Sequence, residues 1–89
     1  MSKYLISYDL NDGEDSDAYD EIIEYLESFP EHAKALYSQW VVESSKTSSE
    51  IRSELKNIVD DNDVILVVKV ESGWASFNLP KEAVDVLKQ

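Results

Sequence analysis

The chain predicts an α+β fold with an antiparallel sheet, and three observations carry that reading. An apolar run from Lys3 to Asp9 alternates at period two, and Val64 to Val70 is almost uninterruptedly apolar. Between them, Ala18 to Phe29 repeats its apolar residues at three and four. A capping-box spacing at Thr47 to Glu50 opens a second run of helical period.

In the first strand Tyr4, Ile6 and Tyr8 share one face, and Leu5, Ser7 and Asp9 the other. Turn formers fill Asn11 to Ser16, and Asp17 is placed to cap the helix that follows. That helix turns Tyr19, Ile22, Ile23, Leu26 and Phe29 inward and ends at Pro30. Its early acids, Asp20 and Glu21, suit the positive end of the helix dipole.

Lys34 to Ser44 is strand material, either one bent strand or two short ones in a hairpin around Tyr37 to Gln39, with Trp40, Val41 and Val42 buried. The capped helix carries Ile51, Leu55, Ile58 and Val59, and "DDND" at 60–63 turns the chain into Val64 to Val70, read as a central strand. Gly73 allows a turn before a short strand at Trp74 to Phe77, and Pro80 opens a C-terminal helix with Ala83, Val84 and Leu87 inward. The order is that of a ferredoxin-like split βαβ: an antiparallel sheet with two helices on one face, plus a short C-terminal strand and helix.

Eighty-nine residues suffice for one domain with one modest core, over residues 1–89. No run reaches the roughly 18 apolar residues of a membrane helix, and no basic segment leads into a signal-like stretch, so the expected setting is the cytoplasm, without membrane contact. The absence of Cys excludes disulfides, thiolate zinc and Cys nucleophiles. Nineteen acids against eight bases give −11, which opposes nucleic-acid binding and favours a basic protein partner or a metal. Ten of those acids fall between Asp9 and Glu31, where Lys and Arg are absent. A solvated acidic surface that keeps the protein soluble is the plainer account of the same charge.

An apolar strand ending in Tyr8-Asp9, an acidic loop and helix, "YSQWVVE" at 37–43, "SSEIRSELKNIV" and "DNDVILVV" together resemble the Cas-two family of CRISPR-associated proteins and its small stand-alone relatives, over residues 3 to 79. The resemblance implies a ferredoxin-like homodimer whose last short strand joins the partner's sheet. It also implies a Mg²⁺-dependent phosphodiesterase site at the dimer axis, with Asp9 as catalytic residue and metal ligand. Two symmetry-related carboxylates suit a hard cation that activates water. A strand-end Asp equally serves to start an Asx turn.

Other chemistry has less support. "DLNDGEDSDAYD" is Asp-rich, but its Gly stands fifth from Asp9 instead of sixth and its twelfth residue is Asp20 instead of Glu, so it departs from a calcium loop. His32, the sole histidine, reads as a polar loop residue. Trp40, Trp74, Phe77, Tyr4 and Tyr8 lack interleaved bases and read as core or dimer interface. Two expectations follow: a dimeric interaction module with little or no nuclease activity, its acidic face receiving a basic partner, or a Mg²⁺-dependent endonuclease on RNA or DNA centred on Asp9.

Overall fold

The computed structural model describes residues 1–11 and 17–89. The acids at 12, 14 and 15, and most of the loop compared with a calcium site, lie outside the described residues. The chain runs β1 (Ser2–Asp9), α1 (Asp17–Glu27), β2 (Glu31–Leu36), β3 (Gln39–Ser44), α2 (Ser48–Lys56), β4 (Val64–Val70) and α3 (Lys81–Lys88). The four strands form one antiparallel sheet in the order β2-β3-β1-β4. The architecture is α+β.

Strand alternation divides the core. Tyr4, Ile6 and Tyr8 of β1 and Trp40 and Val42 of β3 are buried with Ile22 and Leu26 of α1 and Ile51 and Leu55 of α2. The intervening residues turn the other way: Leu5 and Val41 pack with Ala33 and Ala35 of β2 and Ala83 and Val86 of α3. Small alanines on β2 let the helix approach the sheet closely. Helix α3 lies on β2 and β3, and this leaves β1 and β4 open on that face.

The hairpin reading of 34–44 holds, with Tyr37 and Ser38 between the strands and β2 beginning earlier, at Glu31, just after Pro30. Thr47 forms both halves of the capping box: its Oγ1 accepts from Glu50 N–H at 3.1 Å, and Glu50 Oε1 accepts from Thr47 N–H at 2.8 Å. Asp63 ties two loops, accepting from Asn11 N–H at 2.7 Å and Asp60 N–H at 2.8 Å.

Several expectations are corrected. Val64–Val70 is an edge strand paired only with β1, because β1 takes the central place between β3 and β4. Residues 74–77 form no strand: they pair with none of the four strands, and the segment is bounded by left-handed turns at Gly73 (φ +102°) and Asn78 (φ +60°). Asp17 lies inside α1 rather than capping it. On α3 the fully turned-in residues are Ala83 and Val86, while Val84 and Leu87 are half-buried. His32 belongs to β2, where its Nδ1 lies 3.1 Å from the Phe29 carbonyl and its ring tilts beside Trp40.

Candidate interaction surface

The register of β4 against β1 decides which side chains are left uncovered. Val68 stands opposite Leu5, Leu66 opposite Ser7 and Val64 opposite Asp9, so all six share the face that does not carry Tyr4, Ile6 and Tyr8. Helix α3 stops short of this half. Val64 is therefore 61 % exposed, Leu66 57 % and Val68 41 %. Beside this row an open groove of about 320 Å³ runs between the sheet, α3 and the 74–79 segment; Leu5, Val41, Val70, Leu87, Trp74 and Phe77 are among its walls. Phe77 stands 90 % exposed at its mouth.

The sequence reading had assigned Trp74 and Phe77 to core or interface; the monomer's core does not take them. Tyr4, Tyr8 and Trp40, by contrast, are core. The row on β4 escaped notice because a continuous apolar run is the mark of a strand covered by neighbours. The signal that locates it is topological: in a split βαβ the first strand pairs with the third and the fourth, which leaves the fourth at a margin.

Asp9 closes β1 on the same uncovered face as Val64, fully in solvent. Its carboxylate has no hydrogen bond and no ion pair among the described residues. Neither do three or more His, Asp or Glu side chains converge there as a metal cage among those residues. The carboxylate thus has no structural task that the fold reveals, and a cation held at Asp9 would need ligands from elsewhere, such as a second chain.

The acidic surface is distinct from this patch. Asp17, Asp20, Glu21, Glu24 and Glu27 of α1 are all exposed, and the ion pairs of the described residues, Lys46–Glu54, Lys69–Glu71 and Lys81–Asp85, leave them uncompensated. One polar cluster is more ordered. Glu54 Oε1 accepts from Lys46 Nζ at 2.7 Å and from the Tyr25 hydroxyl at 2.5 Å, which ties α1 to α2. Lys46, and then Tyr25, hold the Glu54 carboxyl below its usual range; burial, reinforced by Glu54, pushes the Tyr25 hydroxyl up. Lys46 also lies 5.9 Å from the Tyr25 and Phe29 ring centres, so the cluster serves packing between helices.

Among the described residues no helix is long and apolar enough to cross a membrane. No protein-family model matches the chain, and no solved structure matches it.

Proposed function

We propose that the protein is a homodimeric interaction module of the ferredoxin-like, Cas-two-like kind, with little or no nuclease activity, whose acidic surface receives a basic protein partner. The observation that carries the self-association is the uncovered apolar row of β4, beside a β1 that is only partly covered. With Trp74, Phe77 and Leu36 nearby, the row on β4 brings the exposed apolar side chain of this face to on the order of 600 Å², at the upper end of what monomers leave in a patch. A standard interface takes roughly 800 Å² from each partner, a little over half of it apolar, so the patch has the size a stable dimer needs.

The strand order β2-β3-β1-β4 and the burial of α1 with α2 support the ferredoxin-like reading, with α3 as the C-terminal addition on the opposite face. The exposed acids of α1 support the basic partner, since phosphate is repelled where a Lys- or Arg-rich surface is attracted. Sedimentation of the wild type at tens of micromolar tests the reading. A dimer is expected, and a monomer at that concentration overturns it.

A second reading rests on Asp9, an exposed carboxylate without a partner among the described residues, on the same face. If a second chain brought its own Asp9 close, the pair could hold Mg²⁺ for a ribonuclease or deoxyribonuclease reaction. EDTA-sensitive cleavage of RNA or DNA that disappears in Asp9→Asn is its test.

A further inference from the structure

The two margins of the sheet are built differently. Strand β2 carries a register shift between Lys34 and Leu36 and presents Glu31, His32 and Lys34 along its length. Bulges and charges of this kind are how sheet edges are kept from pairing with other chains. Strand β4 has neither protection: seven residues, "VILVVKV", run without Pro or bulge in unbroken register with β1, and Lys69 is their only charge. A flat apolar margin on a chain whose other margin is blunted marks the place where pairing is tolerated.

We infer that the occupant of this edge is β4 of a second copy, paired antiparallel about a two-fold axis at Leu66, so that two sheets join into one of eight strands. This rests on the homodimer reading above and specifies its geometry for the β4 row, leaving Trp74, Phe77 and Leu36 outside the seam. The pattern of side chains chooses the register. Centring the pair on Leu66 sets Leu66 against its own copy and Val64 against Val68 of the other chain, so the three exposed apolar residues meet only one another.

On the opposite face the same register sets Ile65 against Val67 and brings Lys69 directly across from Asp63, the one cation of the strand against an acid at its start. Shifting the axis to Val67 would place Asp63 across from Glu71 and lose that match. The pairing is isologous and closes as a dimer, because it consumes the only unprotected margin.

Three measurements test it. Wild type is expected to sediment as a dimer. Leu66→Lys, at a residue more than half exposed and so without effect on folding as judged by circular dichroism, sets two ammonium groups against each other at the axis and should weaken the dimer by at least about 100-fold. The chain has no Cys, so Leu66→Cys introduces a single thiol. Directly opposed residues of an antiparallel pair lie about 4.5–5.5 Å apart at Cα, within disulfide reach. Leu66→Cys should therefore cross-link under mild oxidation.

Val64→Cys should not cross-link, as its two copies would stand about 13 Å apart along the strands. A wild-type dimer whose Leu66→Cys form cross-links no more than Val64→Cys, or that survives Leu66→Lys unchanged, overturns the pairing and leaves the homodimer standing. A monomeric wild type overturns both.

Discussion

Pairing through β4 makes a quantitative statement about Asp9, which Asp9→Asn can test. With the axis at Leu66, the two copies of β1 lie three strand spacings apart and their Asp9 residues are offset by about 13 Å along the strands, so the carboxylates stand about 20 Å from each other. In water two charges at that distance interact by about 0.2 kcal/mol, and a Debye length of about 8 Å removes nearly all of it. A shared metal site demands the opposite. Carboxylates about 8 Å apart at an effective dielectric of about 20 repel by about 2 kcal/mol without metal, which is about 30-fold in a dissociation constant.

Sedimentation equilibrium of wild type and Asp9→Asn, each in EDTA and in millimolar Mn²⁺, separates the cases. The expected result is four dissociation constants within about twofold of one another, and no EDTA-sensitive cleavage of RNA or DNA. A dimer tightened tenfold or more by Asp9→Asn in EDTA, or a Mn²⁺ stabilisation that the variant loses, would refute the edge-paired geometry and install Asp9 at a catalytic axis.

Three further outcomes concern the fold. Tyr25→Phe keeps the edge contact with Phe29 but removes the hydrogen bond to Glu54; discounted for solvent around Glu54, the loss should be about 1 kcal/mol, or about 4–8 °C in melting temperature. The same cluster has a pH signature. Glu54 titrates below its ordinary range in the folded state, so its contribution is complete above the unfolded carboxyl's pKa and fades as acid reaches the folded value; Tyr25 is raised, so stability also declines above about pH 10, and urea melts across pH should lose the alkaline slope in Tyr25→Phe while the acid slope, set chiefly by Lys46, persists in weakened form. Thr47→Ala removes the hydroxyl that accepts from Glu50 N–H and leaves the backbone N–H that Glu50 Oε1 accepts from; it should cost about 1 kcal/mol by the same melts. Val67→Asp puts a charge on the half-buried face of β4 against the first core cluster; on an edge strand the carboxylate can reach water, so a folded protein weakened by about 2–3 kcal/mol is expected, and wholesale unfolding would mean that β4 is covered on both sides.

Local signals were the most legible. Periodicity marked β1 and both long helices, the 34–44 segment was open between one bent strand and a hairpin, and the Thr47–Glu50 spacing foretold its two hydrogen bonds to the residue. What the sequence concealed was lateral position. "VILVV" carries the composition of a covered strand, and only the neighbours of β1 show that it lies at a margin. "WASF" has the residues of a strand, yet no strand of the sheet takes it as a neighbour, and pairing is a property of position that composition does not carry.

Function was less legible for a related reason. Asp9 ends a strand in the way a ligand or a turn former would, and among the described residues no group of three or more His, Asp or Glu gathers at it to distinguish these roles. The uncovered row on β4 depends on where α3 docks: the helix lies over β2 and β3, covers β1 only in part and does not reach β4.

Helix α3 has a thermodynamic character of its own. Eight residues are too few for a helix to persist unaided in water, so its order is borrowed from Ala33, Ala35 and Val41 beneath it. The ten residues from 71 to 80 that lead to it can stretch over about 33 Å, roughly twice the width of the four-stranded sheet, so the tether exerts no pull on the docked helix. Local opening of α3, with the sheet and α1–α2 left intact, is therefore expected to cost less than global unfolding. Amides of α3 should exchange with solvent at a lower opening free energy than those of β1, and each such opening lays bare the rest of the sheet face on which the helix normally rests.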